Sequence, residues 1–183
     1  MSSGNAFETF ERDGEQESQS MLIKLLKIWI SEGHDFKGRH GKERMNYEPR
    51  SLEKVKLVAG KGIEGDRFFD HKPDFKGQVT FFSEEVAREL EKELGLPTVD
   101  RAAFRRNALI SGIDLNRLVG RRFSIGKVEF SGSEECAPCY WMDEAVGSGA
   151  HEWLKGRGGL RCRILNNGEL SLGEKKLSIG DEL

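Results

Sequence analysis

The sequence lacks the features of several specialised classes of protein. Its longest apolar stretch, residues 21–30, holds two lysines and is too short to cross a bilayer, so we expect no membrane span. Three cysteines in 183 residues are too few for a disulfide scaffold and are odd in number, which favours a reducing, cytoplasmic setting. The net charge of -2 offers no reason to expect nucleic acid as a partner.

Proline is also scarce. Four prolines stand against 22 glycines, a balance typical of a β-rich fold with short loops and many tight turns. Regular alternation of strands and helices is missing, which argues against a doubly wound parallel sheet. The length suits one domain of ordinary size with its own core.

The first 20 residues differ from the rest of the chain. They carry five acidic side chains against one arginine and show no hydrophobic periodicity. Such a composition cannot bury enough apolar surface to fold. We therefore predict a disordered acidic leader at 1–20 and a single folded domain at 21–183.

The folded part consists mostly of predicted strands, recognised by alternating or short apolar runs. The main ones are MLIKLLKIWI (21–30), EKVKLVAG (53–60), GQVTFF (77–82), RFSIGKVEFSG (122–132) and LRCRIL (160–165). A break in the alternation at Gly126 predicts a turn or bulge. NNG at 166–168 predicts a hairpin, with two short strands before the end of the chain.

Helices are fewer. Ser83 suits the N-cap of a helix that ends before Gly95, with acidic residues in its first turn. Its apolar residues recur every four positions: Val86, Leu90 and Leu94. A second helix is predicted around residues 151–154. These elements predict a β-rich α+β domain, a barrel with one or two helices packed against it.

The cysteines offer the clearest candidates for chemistry. Cys162 lies on the apolar phase of LRCRIL, which predicts a buried core residue. Cys136 and Cys139 form a C-x-x-C motif in a loop after a strand, where functional residues are common. This pair can be a redox dithiol, half of a zinc site, or one working thiol beside a second cysteine.

The surrounding residues bear on these alternatives. A thioredoxin-type dithiol begins a long helix after a parallel strand, whereas here two glutamates precede the pair and no βαβ unit surrounds it. A structural zinc site needs a second pair of ligands, and the sequence has no other C-x-x-C motif. A single catalytic or ligating cysteine needs partners elsewhere in the chain.

Three cationic segments could supply those partners. KGIEGDRFFD (61–70) places Arg67 after a glycine turn, which suits either an anion site or a surface salt bridge. Arg105, Arg106 and Asn107 precede an apolar strand, and guanidinium groups bind oxyanions bidentately. SEGHDFKGRHG (31–41) concentrates cationic residues around His34, directly after the first strand.

The order of these motifs resembles that of the MOSC domain, which is found at the C-terminus of molybdenum cofactor sulfurases. The resemblance runs from residue 21 to the end of the chain and is closest to short, stand-alone prokaryotic members. Its motifs are SEGHDFKGRHG, GIEGDR, FRRNALISGIDLNRLVGRRFSIG, the Pro-Cys of CAPC, and GRGGLRCRIL-NNGELSLGEKKLSIGD. The resemblance implies a MOSC-type β-barrel with a few flanking helices.

The same resemblance implies a function in sulfur or molybdenum-cofactor chemistry. The family's cysteine, a molybdenum ligand in members that reduce N-hydroxylated compounds, corresponds to Cys139. Arg67, Arg105 and Asn107 match cofactor-binding positions, and His34 falls where larger relatives have a lysine. The resemblance thus implies molybdenum cofactor (molybdopterin) in this chain, bound near a Cys139 that ligates molybdenum or carries sulfur.

The implied partners are a sulfur donor such as a cysteine desulfurase, or a molybdoenzyme. The chain is too short to include a pyridoxal-phosphate desulfurase domain, so we do not expect this domain alone to bind pyridoxal phosphate. Two alternatives stay open: a thiol-disulfide oxidoreductase that uses Cys136 and Cys139, and a non-catalytic module that binds an anion or a partner.

Overall fold

A computed structural model describes residues 19–35 and 43–182. The strands are β1 (Gln19–Ile30), β2 (Arg50–Leu52), β3 (Lys54–Val58), β4 (Gly62–Ile63), β5 (Val79–Ser83), β6 (Ala108–Ser111), β7 (Arg121–Ile125), β8 (Val128–Glu135), β9 (Leu160–Ile164), β10 (Gly168–Ser171) and β11 (Gly173–Glu182). The α-helices are α1 (Glu84–Glu93), α2 (Trp141–Ala145) and α3 (Ala150–Trp153), and short 3₁₀ helices occupy Arg101–Phe104 and Leu115–Leu118.

Seven strands close into a mixed barrel. Around the barrel they run β1, β6, β5, β9, β8, β7 and β11, and β11 pairs with β1 to complete the circle. The β5–β6 pair is parallel, and the other neighbouring pairs in this circle are antiparallel. A smaller sheet of β10, β3 and β4 lies apart from this circle. The predicted β-barrel with a few helices is confirmed.

A bulge in β1 lets one strand serve two packing layers. The register of β1 against β6 shifts between Leu25 and Lys27. Before the shift Ile23 and Leu25 face the barrel interior, and after it Ile28 does so, because one extra residue reverses the alternation. Trp29 then points outward, away from the barrel core.

The apolar residues accordingly form two cores. The barrel interior holds the larger one, in which the rings of Phe81, Phe123 and Phe130 contact each other. The second lies between the outer barrel wall and the helices, where Phe82 stacks on Phe104 with ring centroids 4.3 Å apart. Burying such side chains supplies most of the driving force for folding.

The principal predicted elements are present. Ser83 caps α1 by accepting a hydrogen bond from the Val86 amide, and Gly95 follows the helix with a φ of 62°. Gly126 forms the turn between β7 and β8. Cys162 is fully buried in the barrel core, as predicted. None of the described helices has the length and apolar character that crossing a membrane demands.

The hairpin predicted at NNG is wrong. The flanking strands do not pair with each other, since β9 joins the barrel and β10 pairs with β3 in the small sheet. The two asparagines instead link separate segments. The Asn166 side chain bonds the amide of Glu129, and the Asn167 side chain bonds the amide of Ala59. The last strand, β11, is also longer than predicted.

Two further differences concern the ends and the helices. The first strand begins at Gln19, two residues inside the predicted leader, and residues 1–18 lie outside the described residues. The helix expected near residue 151 is α3, whereas α2 was not predicted because its five residues are too few to show a period.

A close backbone approach at Gly132 generates a prediction about stability. A Cβ at this position would lie 1.9 Å from the carbonyl oxygen of Leu118, so Gly132→Ala must displace backbone. We expect it to lower the free energy of unfolding by about 2–4 kcal/mol, measured by urea denaturation. The control is Gly126→Ala, where space is open and the φ of 61° alone costs about 1 kcal/mol. Equal losses in both variants would contradict this account.

Candidate functional site

A cavity of about 310 Å³ lies against the outer wall of the barrel. Thr80 of β5 and Arg161 of β9 form its base; they are paired across the two strands and alternate with residues that face the barrel core. The loops after β1, β4 and β8 and the segment before β6 surround it. Four arginines and two cysteines are among its lining residues: Arg67, Arg105, Arg106, Arg161, Cys136 and Cys139.

The structure brings most of the predicted site residues to this one cavity. Cys139, Arg67, Arg105 and His34 all line it, although they come from four separate segments of the chain. The His34 ring lies 6.0 Å from the Phe68 ring, edge to face. The rest of the cationic loop after β1, residues 36–41, lies outside the described residues.

The two cysteines lie at different depths. Cys139 is exposed, whereas Cys136 is 6% exposed, and both are free thiols. Cys136 continues from β8, and its amide donates to the carbonyl of Gly159 at 2.7 Å. The carbonyl of Cys139 accepts a hydrogen bond from the Met142 amide at the start of α2. The predicted working thiol is therefore accessible at the cavity, and the second cysteine is buried beside it.

Arg67 is a buried cation with unused hydrogen-bonding capacity. Its side chain is 12% exposed, and its Nη1 lies 3.7 Å from Oδ1 of Asp66, which is an ion pair without a short contact. Its Nε is buried without a hydrogen-bond partner among the described residues. Burial lowers the pKa of Arg67, an effect that Asp66 only partly offsets. The expectation of a surface salt bridge at this turn is thus excluded by the geometry.

Asp66 fixes the turn that presents Arg67. Its Oδ1 accepts hydrogen bonds from the Ser31 amide and from Nδ2 of Asn107, while its Oδ2 accepts from the Phe68 amide. The Arg67 amide in turn donates to the carbonyl of Ser31 at 2.8 Å. Three separated segments thereby meet at one buried carboxylate.

Asn107 does not line the cavity, although the sequence placed it among the cofactor-binding residues. Its Oδ1 accepts from the amide and the hydroxyl of Thr80, and its Nδ2 donates to Asp66 and to the carbonyl of Trp29. These bonds occupy both hydrogens of the amide group. The structure therefore gives Asn107 a positioning role behind the cavity wall.

Arg105 lines the cavity but is bound to the loop that follows β1. Its Nη1 donates to Oδ2 of Asp35 and to the carbonyl of Tyr47, and its Nη2 donates to the carbonyl of Gly33. Burial lowers the pKa of Arg105 to about 10, and the nearby charge of Arg67 adds to this effect. Most of its N–H groups therefore donate to other residues of the protein, and its main role is to hold this loop in place.

Two further arginines line the cavity: Arg106, which the sequence placed in a cationic cluster with Arg105 and Asn107, and Arg161, which sequence reasoning missed. Arg106 donates to the carbonyls of Gly158, Phe104 and Cys136, and it thereby anchors the cysteine segment to the segment before β9. Arg161 was assigned only to a strand. Its Nη1 donates to Glu134, and it lines the cavity together with Cys136. Only its outward position in the alternating LRCRIL strand could have indicated this.

Aromatic rings flank the cationic part of the cavity. The rings of Phe68 and Phe75 lie 5.3 Å apart, and the Arg67 guanidinium lies 4.8 Å from the centroid of Phe68. Tyr140 and Trp141 follow Cys139 in the lining, with their rings 5.4 Å apart. This arrangement suits a flat ring that carries an anionic group.

The geometry also bears on the alternatives for the cysteine pair. No cluster of three or more metal-ligating side chains occurs within residues 19–35 and 43–182, so these residues offer no zinc site. The pair precedes a helix of five residues and follows an antiparallel strand, unlike the long helix after a parallel strand of a thioredoxin motif.

A family model described as the MOSC domain matches residues 65–183, which include Arg67, all three cysteines and β5–β11. The chain belongs to the MOSC domain family. The predicted resemblance is confirmed at this level, and the barrel is the fold of a MOSC domain.

Solved structures agree with this fold. The YuaD protein from Bacillus subtilis superposes with a TM-score of 0.72 at 19% identity, and the match covers 90% of this chain and 100% of that one. YiiM from Geobacillus stearothermophilus gives 0.63 at 15% identity, covering 87% and 75% of the two chains. YiiM from Escherichia coli gives 0.62 at 16%, covering 89% and 71%. No curated protein matches the sequence significantly.

The hydrogen bonds of Asn107 generate a second prediction. Asn107→Ala leaves Asp66 and Thr80 with unmet bonds in a buried site, so we expect a loss of about 3 kcal/mol in the free energy of unfolding. Asn116→Ala is the matched control because it removes a single exposed hydrogen bond to Gly156, and it should cost less than about 1 kcal/mol. Urea denaturation measures both, and a small effect of Asn107→Ala would refute its positioning role.

The different burial of Cys139 and Cys162 generates a third prediction, about the reactivity of their thiols. We expect iodoacetamide to label Cys139 at least about tenfold faster than Cys162 in the folded protein, because Cys162 is buried and burial raises the pKa of its thiol. Peptide mass spectrometry after timed labelling measures both rates, with urea-unfolded protein as the control in which they converge. Comparable rates in the folded protein would contradict the described exposure.

Proposed function

We propose that this MOSC domain binds molybdenum cofactor, or a closely related anionic pterin, in the arginine-lined cavity and presents Cys139 to it as a sulfur carrier. The observation that carries the proposal is the buried Nε of Arg67, which faces no hydrogen-bond partner among the described residues in a cavity that also holds an accessible thiol. A buried donor of this kind is costly unless a ligand uses it.

The charge of the cavity supports an anionic ligand. None of the described residues that line it is acidic. Asp35 pairs with Arg105 and Glu134 with Arg161, but no described acidic side chain forms an ion pair with Arg106, and Arg67 has only the long contact to Asp66. A guanidinium that still has hydrogen-bonding capacity binds phosphate well.

The shape and chemistry of the cavity fit the same ligand. Its volume is at the lower end of the range for small-molecule sites, about 300–1,000 Å³. Phe68 and Tyr140 both line it, so their rings could stack on a pterin, and Arg67 would hold the phosphate. When bound, the cofactor supplies a redox-active metal with affinity for thiolate and sulfide ligands.

The exposure of Cys139 supports the carrier role. A thiol at the mouth of a cavity can be reached by a second protein and by a ligand inside. A cysteine desulfurase as the sulfur donor, or a molybdoenzyme as the recipient, is the class of partner that this role requires. In the variant of the proposal in which Cys139 ligates molybdenum directly, the same exposed thiolate is used, and reduction of N-hydroxylated compounds becomes the expected activity.

A second candidate function rests on a specific observation, namely that Cys136 and Cys139 line the same cavity. A thiol-disulfide oxidoreductase would require both cysteines equally and would cycle between dithiol and disulfide. A carrier or ligand role for Cys139 requires the Cys139 thiol. In that role, loss of Cys136 has a smaller effect than it would have in a dithiol enzyme.

The test is purification of the full chain from a molybdenum-replete host, with pterin measured by fluorescence and molybdenum by mass spectrometry. We expect pterin in the wild type and a loss of about tenfold or more in Arg67→Met, because a charge-assisted hydrogen bond contributes about 1.5–3 kcal/mol. Cys139→Ser should keep pterin but lose the bound sulfur or molybdenum. Arg121→Met is the control, since Arg121 is partly exposed, pairs with Glu182 and is not among the residues that line the cavity.

Two outcomes would overturn the proposal. One is the absence of pterin from wild-type protein that also fails to take up pterin from a cofactor-loaded extract. The other is equal retention of pterin by Arg67→Met and the wild type.

A further inference from the structure

Cys136 is a second thiol in the cavity that the proposed function does not use. It is 6% exposed and lines the cavity together with Cys139, which is exposed three positions later. Three residues of chain span at most about 10 Å, so the two thiols belong to one small volume. One of them faces solvent and the other the interior of the cavity.

The surroundings of Cys136 are cationic. Arg67 and Arg161 line the cavity together with Cys136. Burial acts to lower the pKa of Arg161, but the negative charges of Cys136 and Glu134 raise it overall. The charge at Cys136 also acts on the buried guanidinium of Arg67. Guanidinium groups of this kind pair well with an anionic sulfur.

The backbone of Cys136 is held firmly. Its amide donates to the Gly159 carbonyl, and its carbonyl accepts from Nη2 of Arg106, both at 2.7 Å. A Cβ on Gly158 would lie 2.4 Å from the same carbonyl, so this neighbour packs directly against it. The depth of the sulfur below the mouth of the cavity is thereby fixed.

Cys162 does not compete for this role. It is buried in the barrel core and is not among the residues that line the cavity. Burial raises the pKa of its thiol well above the ordinary value, and a negative charge at Cys136 adds to this effect. Cys162 therefore stays protonated and unreactive while Cys136 and Cys139 face the cavity.

We propose that Cys136 is the second station of a sulfur relay, in which Cys139 receives a sulfane sulfur at the mouth of the cavity and passes it inward to Cys136, beside Arg161 and Arg67. This inference rests on the proposed function in its sulfur-carrier form. It gives the two cysteines of the C-x-x-C motif separate tasks: Cys139 loads and Cys136 delivers.

The transfer step balances without any further reactant. A donor persulfide first converts Cys139 to Cys139–S–SH. The Cys136 thiolate then attacks the outer sulfur, a new S–S bond forms to Sγ of Cys136, and the bond from that sulfur to Sγ of Cys139 breaks. Cys139 leaves as a thiolate and takes up the proton of the transferred sulfur, so the negative charge ends on the Cys136 persulfide, and the overall charge and oxidation level are unchanged.

The arginines favour a step that keeps the negative charge at Cys136. Arg67 and Arg161 line the cavity together with this cysteine, so an anionic persulfide there lies near two guanidinium groups, whereas Cys139 is exposed. Sulfur at Cys136 also faces the part of the cavity in which a bound ligand would lie. The relay therefore moves sulfur from a position that a donor protein reaches to one that a ligand reaches.

The test is a time course with glutathione persulfide on the full chain under anaerobic conditions. Samples are quenched with an alkylating agent, and fragmentation of the peptide between Ala137 and Pro138 assigns the additional sulfur to one cysteine or the other. In the wild type we expect the sulfur first on Cys139 and then on Cys136. In Cys136→Ser it should stay on Cys139, and in Cys139→Ser the loading of Cys136 should be at least about tenfold slower, because Cys136 is buried.

Arg161 supplies a matched test on one strand. Arg161→Met should slow the transfer to Cys136 by about tenfold, the loss of one charge-assisted contact, without slowing the loading of Cys139. Arg161→Lys keeps the cation and should restore part of the rate. The control is Arg163→Met, because Arg163 lies two residues further along β9 and pairs with Asp74, away from the cavity. Thermal unfolding of each variant verifies that it is folded.

Each outcome decides between the relay and its rivals. Sulfur that stays on Cys139 in the wild type, or that reaches Cys136 equally fast without Cys139, overturns the relay but leaves the carrier function of Cys139 or the cavity intact. Release of sulfide with a Cys136–Cys139 disulfide also overturns it and favours the dithiol function. Absence of added sulfur from both cysteines overturns the relay together with the sulfur-carrier form of the proposed function.

Discussion

The buried carboxylate of Asp66 is the constraint on which the site depends. It joins the end of β1, the turn after β4 and the segment before β6, because Ser31, Phe68 and Asn107 all donate to it. A buried charge is tolerated only where hydrogen bonds compensate it, so these segments are held to one arrangement. The guanidinium of Arg67 is thereby held beside the carboxylate at a distance that leaves part of its hydrogen-bonding capacity for a ligand.

Local sequence patterns were sufficient to predict many elements of the fold. The helix capped by Ser83, the turn at Gly126 and the burial of Cys162 follow from residues within a few positions of each other, where capping and alternation act. The NNG hairpin failed for a reason that no local pattern contains. The asparagines bond to segments nearly 40 and more than 100 residues away, one in β8 and one just after β3, and such long-range contacts accompany the observed pairing.

The site was predictable in part. The resemblance to the MOSC domain led to Cys139, Arg67 and Arg105, and these residues do meet at one cavity. The resemblance could not show that Asn107 lies outside that cavity or that Arg161 lines it. Both facts depend on which face of a strand a distant loop covers. The different depths of Cys136 and Cys139 were not predictable for the same reason, since burial depends on distant neighbours rather than on spacing.

The way in which residue 136 is held has a consequence for how such sites can change. Peptide groups and the Arg106 side chain fix its main chain, so none of these contacts depends on the identity of its own side chain. Replacement of the cysteine by a side chain of similar size, such as serine or selenocysteine, therefore leaves these bonds in place. The chemistry of the buried group in the cavity can thus change by a single replacement, while the barrel that supports it stays as it is.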